Sequence, residues 1–145
     1  MYLIRGQHNL ELFRTSHANN IPLHGTIGNF DGLHKGHQAI LSKIKNTASN
    51  SGAKTIVFFT EPHASEYFAA KDDSGFISPP RICPWRKKYE LLDEFGIDFA
   101  FFLKFNNSLR TMTPESFISE ILDSVGLSAL TVGDDFRFGI NRSGD

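Results

Sequence analysis

The sequence lacks three features that mark large classes of proteins. Its 145 residues include a single cysteine, Cys83, so an internal disulfide is excluded and a reducing compartment is favoured. No apolar run approaches the length of a membrane span, and residues 1–6 lack a signal-peptide pattern. A formal net charge of -1 argues against the positive electrostatic potential that is typical of nucleic-acid-binding proteins. We therefore expect a cytoplasmic protein with no membrane or nucleic-acid partner.

The composition is that of a globular domain with a substantial core. Hydrophobic residues make up 40% of the chain and charged residues 21%. Phenylalanine is over-represented, with 14 residues, and several of these lie in strand-like runs. A chain of this length buries enough apolar surface for one domain.

Short apolar runs alternate with helical patterns along the chain. The pattern predicts strands at residues 22–27, 55–59, 98–105 and 127–132, and helices at residues 35–49, 64–70, 85–95 and 113–124. In the first long helix, Ala39, Ile40, Ile44 and Ala48 are expected on the apolar side. Continuous apolar strands that alternate with helices predict an α/β fold, in which helices cover both faces of a parallel sheet.

Three polar turns follow the predicted strands, at residues 28–37, 60–63 and 133–139. In sheets of this kind a ligand binds beyond the carboxyl ends of the strands, where the strand order reverses. We therefore expect the three turns to converge on one crevice.

His34 and His37 lie where a glycine-rich turn meets the start of a helix. The N–H groups and the dipole of such a helix end favour phosphate. A glycine near a helix start costs stability, so Gly36 suggests that something approaches the backbone closely. Phosphate binding is the interpretation we favour, while a metal site and a pair of exposed or helix-capping histidines stay open.

The same residues suit nucleotidyl transfer. Negative charge builds on the phosphate oxygens and on the leaving pyrophosphate when an acceptor attacks the α-phosphate of a nucleoside triphosphate. Fixed donors such as imidazoles and helix N–H groups stabilise that charge without a covalent intermediate.

For several residues near the turns, a purely structural role is at least as well supported as a functional one. Asp31 suits either a tight turn or a function, and Asn29 either braces the loop or contacts phosphate. Residues 61–63 either end a strand or position a substrate. Arg137 either pairs with phosphate or forms an ion pair with Asp134 or Asp135.

Four motifs occur together in an order that resembles bacterial FAD synthetases, which are bifunctional riboflavin kinase/FMN adenylyltransferases. They are found at residues 28–37, 61–63, 80–82 and 132–139, and the resemblance extends over nearly the whole chain. The His-x-Gly-His pattern alone would indicate only the wider nucleotidyltransferase superfamily.

The resemblance implies that residues 1–145 form a nucleotidyltransferase domain with a Rossmann-like fold. It implies transfer of AMP from ATP to FMN, giving FAD and pyrophosphate, with Mg²⁺. His34 and His37 would bind the ATP phosphates. The residues expected to shape that pocket are Gly28, Asn29, Phe30, Asp31 and Gly36. Those expected near FMN or the joined nucleotides are Phe59, Glu61, Pro62, His63, Asp135, Phe136 and Arg137.

Two departures from the family pattern qualify these expectations. Ala64 replaces the second proline of a Pro-His-Pro motif. The family also has a second phosphate motif, close to Ser-Ser-Thr-x-Ile-Arg, and a riboflavin kinase module, and the sequence to Asp145 includes neither. We therefore expect an incomplete adenylyltransferase domain with little or no turnover. The alternatives are a nucleotidyltransferase with another acceptor and a fragment that only binds nucleotide or flavin.

Overall fold

One parallel sheet forms the centre of the structure. The computed structural model describes residues 1–16, 20–61, 64–71, 75, 77 and 84–145. Five strands lie in the order β1-β4-β3-β2-β5, and every pairing is parallel. The strands are β1 (Tyr2–Arg5), β2 (Leu23–Ile27), β3 (Lys54–Glu61), β4 (Phe99–Lys104) and β5 (Leu127–Leu130).

Helices connect the strands and cover both faces of the sheet. The helices are α1 (Leu10–Ser16), α2 (Lys35–Ser51), α3 (Ala64–Lys71), α4 (Trp85–Phe95), α5 (Asn107–Thr111), α6 (Pro114–Phe117) and α7 (Asp123–Val125). A π-helical turn, Ile118–Leu122, joins α6 to α7. None of the helices in the described ranges is long and apolar enough to cross a membrane.

Strand β3 shows that helices cover both faces of the sheet, as the α/β prediction requires. Ile56 and Phe58 pack with residues of α1, α6 and α7, whereas Val57 and Phe59 pack with residues of α2 and α4. All four side chains are fully buried. Alternate side chains of a strand point to opposite faces, so an uninterrupted apolar run is what a sheet covered on both sides requires.

The strand order reverses beside β2. Strands β2, β3 and β4 follow one another in one direction across the sheet, and β5 then pairs with the opposite side of β2. A crevice opens at such a reversal, beyond the carboxyl ends of the two strands that flank it. The turns after β2 and β5 are two of the three that the sequence singles out.

Helix α2 confirms the predicted helix and part of its predicted apolar side. It begins after His34 and ends at Gly52, whose φ of 67° lies in the left-handed region. The residues it buries are Leu41, Ile44 and Ala48. Ile44 and Ala48 were predicted on this side, whereas Ala39 is exposed and Ile40 only half-buried, so the prediction fails in the first turns of the helix.

Strand β5 corrects the expectation of a fourth core strand over residues 127–132. It is shorter, and β2 is its neighbour at one edge of the sheet. Leu130 is 39% exposed, because an edge strand has less protein around it than a central one. An apolar run in the sequence looks the same for an edge strand and for a central strand. The sequence pattern also did not predict β1 or α1.

The helix predicted for residues 113–124 is present, with an unpredicted π-helical turn in its middle. Thr113 is its N-cap: the Ser116 N–H donates to the Thr113 side chain over 3.2 Å. Gly126 ends the helix with a φ of 80°.

Gly25 of β2 is needed for the close packing of three strands. A Cβ at this position would lie 2.8 Å from Leu127 Cδ1 and 2.9 Å from Ile56 Cγ2. Gly25→Ala should therefore lower the free energy of unfolding by about 1–3 kcal/mol, as measured by urea denaturation.

Gly133→Ala is the matched control for that measurement. A Cβ there would meet only the Asp135 carboxylate oxygen, at 3.2 Å, and this side chain is exposed and can move. An equal loss of stability in the two variants would contradict the packing argument.

Candidate functional site

A cavity of about 860 Å³ lies at the reversal of the strand order. Its walls include Gly28, Asn29 and Phe30 after β2, Thr60 at the end of β3, and residues 135–142 after β5. Helix α3 and the segment after β4 contribute Phe68 and Phe105. The turns after β2 and β5 therefore converge as predicted, and Thr60 of the third turn joins them.

The turn between β2 and α2 has an unusual backbone. Phe30 and Leu33 have φ values of 48° and 43°, a region that is strained for residues with a side chain. Both side chains are nevertheless buried, to 1% and 6% exposure. Gly28 leaves room for the Phe30 ring, since a Cβ there would lie 3.0 Å from Phe30 Cε2. Burial of the two apolar side chains thus holds the turn in shape.

His34 caps helix α2. Its Nδ1 accepts the backbone N–H of His37 at 3.4 Å, so the helix-capping role holds for His34 and not for His37. An accepting Nδ1 places the proton of a neutral His34 ring on Nε2. A Cβ on Gly36 would lie 3.2 Å from this ring. Gly36 therefore makes room for the His34 ring itself, rather than only for a ligand.

His37 stacks between two rings. Its centroid lies 3.7 Å from that of His34 and 4.8 Å from that of Phe30. His37 Nδ1 is buried and makes no hydrogen bond within the described residues, which leaves Nε2 as the nitrogen that a ligand in the cavity can reach. Burial lowers the pKa of His37; the neighbouring His34 and Lys88 lower it further, while Asp31 opposes them.

The charge around the cavity favours an anionic ligand. Among the described residues, Arg110, Arg137 and Arg142 line it, against one acidic residue, Asp135. The first turn of α2, with its outward N–H groups, lies at the same wall through Gly36. Cationic side chains and a helix N-terminus together suit phosphate oxygens.

Another part of the wall is aromatic. Phe136 and Phe138 are stacked, with centroids 5.8 Å apart and planes inclined by 17°. Phe68 and Phe105 make an edge contact at 5.9 Å. Flat aromatic ligands pack well against such rings.

Some predicted residues lie away from the cavity wall. Phe59 is fully buried on the α2 and α4 side of the sheet, where its ring contacts Phe102, so the structure does not place it against a ligand in this cavity. Asp31 and Glu61 are half-buried and do not line the cavity. Pro62 and His63 lie outside the described residues.

Arg137 lies on the wall, but its side chain turns back onto its own loop. It donates to the carbonyl oxygen of Phe136 at 2.7 Å and to that of Asp134 at 3.5 Å. Within the described residues, carbonyl oxygens rather than a carboxylate of Asp134 or Asp135 are therefore its partners.

Sequence reasoning missed several residues that the fold brings here. Phe68, Phe105, Arg110 and Arg142 line the cavity, although they lie outside the recognised motifs. Lys88 is fully buried near His37. It had a signal in the sequence, because a lysine three residues after Trp85 and four before Leu92 falls on the apolar stripe of a helix.

A protein-built metal site is not supported by the described residues. They include no group of three or more His, Cys, Asp or Glu side chains that could hold an ion. The stacked His34 and His37 rings also leave each other little freedom to turn towards a shared metal.

The lowered pKa of His37 gives a testable pH dependence. In NMR titrations, its midpoint in the folded chain should lie below the ordinary value of 6.5, and in urea it should return to that value. Between the folded and the unfolded pKa of His37, the unfolded chain binds more protons than the folded chain. The contribution of His37 to the free energy of unfolding is therefore fully present above pH 6.5 and is lost as the pH falls towards the folded pKa.

His37→Gln is the matched variant, since it cannot titrate. Its unfolding free energy should decline less than that of the unmodified chain between about pH 7 and pH 5. Identical slopes, or a folded midpoint at or above the unfolded one, would contradict the electrostatic picture of the site.

Comparison with solved structures supports the fold. A structure titled "Crystal Structure of Macrolide-efflux Protein from Streptococcus pneumoniae" matches 99% of this chain and 45% of its own, with a TM-score of 0.78. At 18% identity, the match shows a shared α/β architecture and nothing further.

Comparison with curated proteins is more specific. Bifunctional riboflavin kinase/FMN adenylyltransferases from Pseudomonas fluorescens and Escherichia coli K12 are 39% and 36% identical over the whole chain. The chain spans 43% and 44% of their respective lengths. A family model described as FAD synthetase matches residues 16–145. The chain therefore belongs to the FAD synthetase family.

Proposed function

We propose that residues 1–145 provide the site at which a longer enzyme transfers AMP from ATP to FMN, giving FAD and pyrophosphate. The observation that carries the proposal is the cavity itself, in which a wall of imidazole and guanidinium groups adjoins a wall of phenylalanine rings. Both substrates pair a phosphate with a flat aromatic system, so they need both kinds of wall. The family relatives named above carry this activity in their names.

His34 and His37 serve the phosphate side of this proposal. A phosphate oxygen of FMN attacks the α-phosphorus of ATP, and the bond from that phosphorus to the leaving pyrophosphate oxygen breaks. The attacking oxygen is already deprotonated, so a general base is not needed. Nε2–H groups of the two rings would stabilise the added negative charge on the equatorial oxygens.

Phenylalanine rings serve the flavin side. Phe136 after β5 and Phe105 after β4 both line the cavity, and rings of this kind would pack against a planar flavin. Arg137 and Asp135 of the same loop are proposed to contact the joined nucleotides. The guanidinium of Arg137 would first exchange a carbonyl partner for phosphate.

The remaining predicted residues keep supporting roles in the proposal. Asn29 and the backbone of Gly28 border the phosphate region directly, and Asp31 belongs to the turn that carries them. Glu61, Pro62 and His63 are proposed to border the site from the end of β3.

Mg²⁺ is proposed to enter with ATP. The described residues build no acidic cage, and Mg²⁺ commonly binds through substrate phosphates with few protein ligands. When bound, the ion would neutralise phosphate charge. The relatives' names suggest fusion to a riboflavin kinase module, with residues 1–145 as the adenylyltransferase part, and this fusion belongs to the proposal. A cytoplasmic location is proposed as well.

FMN binding tests the choice of acceptor. The fluorescence of FMN should be quenched when the chain is added, because stacking on Phe105 and Phe136 would bring the flavin against aromatic rings. Phe136→Leu should weaken this binding, whereas Phe95→Leu, on the opposite side of the sheet, should leave it unchanged. Nicotinamide mononucleotide should not compete, and absence of FMN binding would favour a different acceptor.

His37→Ala tests the phosphate side. In a preparation of this chain, or of a longer protein containing it, that shows adenylyl transfer, the variant should slow pyrophosphate release by about 10²–10³-fold, as loss of one transition-state donor does. His8→Ala removes an exposed histidine after β1 and is the control. FAD formation that survives His37→Ala nearly intact would refute the role of this ring.

A further inference from the structure

Two arginines on the cavity wall keep their guanidinium groups available to a ligand. In the described part of the chain, the Arg142 side chain makes no hydrogen bond or ion pair, and that of Arg110 donates only to the neutral amide oxygen of Asn107, at 2.9 Å. Both side chains are exposed. Arg137 differs, because carbonyl oxygens of its own loop already accept its donors.

Arg142 lies in a closed loop that holds its backbone in place. The loop consists of residues 138–144, and Phe138 and Gly144 exchange two backbone hydrogen bonds at its base, of 3.1 Å and 2.9 Å. Within the loop, the N–H of Arg142 donates to the carbonyl oxygen of Gly139 at 3.1 Å. The point from which the Arg142 side chain extends is therefore fixed by the hydrogen bonds of the loop itself.

The backbone of Arg142 is strained, and its side chain gains no burial in return. Its φ of 55° lies in the left-handed region, which is costly for a residue with a side chain. Phe30 and Leu33 offset a comparable strain by burying their side chains, whereas that of Arg142 is exposed. Strain of this kind is concentrated at binding sites. Placement of the guanidinium group on the cavity wall is the use that the structure shows for it.

Arg110 approaches the same part of the cavity from another element. It belongs to α5, and shortly after it the carbonyl oxygen of Met112 accepts the backbone N–H of Ile140 at 2.8 Å. Ile140 belongs to the loop that carries Arg142. A direct hydrogen bond therefore joins the two segments from which the arginines extend, and both side chains line the cavity.

Each of these segments also supplies a ring of the aromatic wall. Phe138 lies at the base of the loop that carries Arg142, and Phe105 lies between β4 and α5. The two imidazoles, by contrast, come from the region where the turn after β2 meets α2. The arginines are thus linked to the phenylalanine side of the cavity, where the proposed function has the flavin.

We propose that Arg110 and Arg142 bind the phosphate of the flavin substrate and thereby select FMN over riboflavin, which has the same ring system without a phosphate. This inference rests on the proposed function and assigns the acceptor phosphate within it. Guanidinium groups donate paired hydrogen bonds to phosphate oxygens. A phosphomonoester presents three such oxygens, so contacts to two of them leave one to attack the α-phosphorus of ATP.

The preference between the two flavins is the first test, and it needs no variant. In fluorescence titrations of the unmodified 145-residue chain, FMN should bind at least about 10-fold more tightly than riboflavin, because one charge-assisted hydrogen bond provides about that factor. The preference should decrease as the ionic strength rises. Equal affinities for FMN and riboflavin would overturn the proposal.

Arg110→Gln and Arg142→Gln test the two side chains separately. Each variant should weaken FMN binding about 10-fold and bring its affinity closer to that of riboflavin. Arg86→Gln is the matched control, since it removes an exposed guanidinium group that lies over Trp85 and does not line the cavity. FMN affinity that survives both cavity substitutions, or that falls equally in the control, would overturn the proposal. Circular dichroism of each variant verifies that it is folded.

ATP binding identifies the phosphate that the arginines contact. Calorimetric titration with ATP alone should give the same affinity for the unmodified chain and for the two cavity variants, because the imidazole side is proposed to hold the ATP phosphates. A loss of ATP affinity with unchanged FMN affinity would assign the arginines to the nucleotide and overturn the proposal. Equal losses for both ligands would indicate a general electrostatic effect and also contradict it.

Kinetics distinguish failure of this inference from failure of the proposed function. In an active preparation, the two cavity variants should raise the KM for FMN with little change in kcat, as loss of a contact made equally in the ground and transition states does. Transfer of AMP to FMN with an unchanged KM in Arg110→Gln and Arg142→Gln would refute the inference alone. Arginine-dependent preference for FMN in a longer protein that forms no FAD would refute the proposed function alone.

Discussion

The site depends on the burial of two apolar side chains in the turn between β2 and α2. Phe30 and Leu33 adopt backbone conformations that cost on the order of 1–3 kcal/mol each, and their burial offsets that cost. The turn in this shape brings the Phe30 ring against His37 and starts α2 at His34. A more relaxed turn would leave the imidazoles without a fixed direction.

Electrostatic interactions in the site act on side chains that packing already holds in place. Burial and the charges of His34 and Lys88 lower the pKa of His37, so the ring stays neutral near pH 7 and presents a donor rather than a full charge. The guanidinium groups of Arg110 and Arg142 supply positive charge elsewhere on the wall. In the proposed function, a neutral donor close to the reacting phosphate and cations around it would together hold the polyanion.

Much of the fold follows from periodicity, because burial on both faces of a central strand leaves an uninterrupted apolar run. Strands β2, β3 and β4 and helices α2, α3 and α4 appear where that pattern predicts them. The pattern misplaces β5, since a run of apolar residues does not reveal how many neighbours a strand has. It also leaves out β1, a short strand whose pairing with β4 is a long-range contact.

The sequence by itself determined where the candidate phosphate site lies, because the His-x-Gly-His pattern, the helix start and the glycine-rich turn are local and close in the chain. It also determined the family, through motifs that keep their order. Only the tertiary structure decided which distant side chains meet them: Phe105, Arg110 and Lys88 come from other elements, and Phe59 turns away from the cavity. Strand order and the direction of each side chain set those contacts, and neither is encoded in a local pattern.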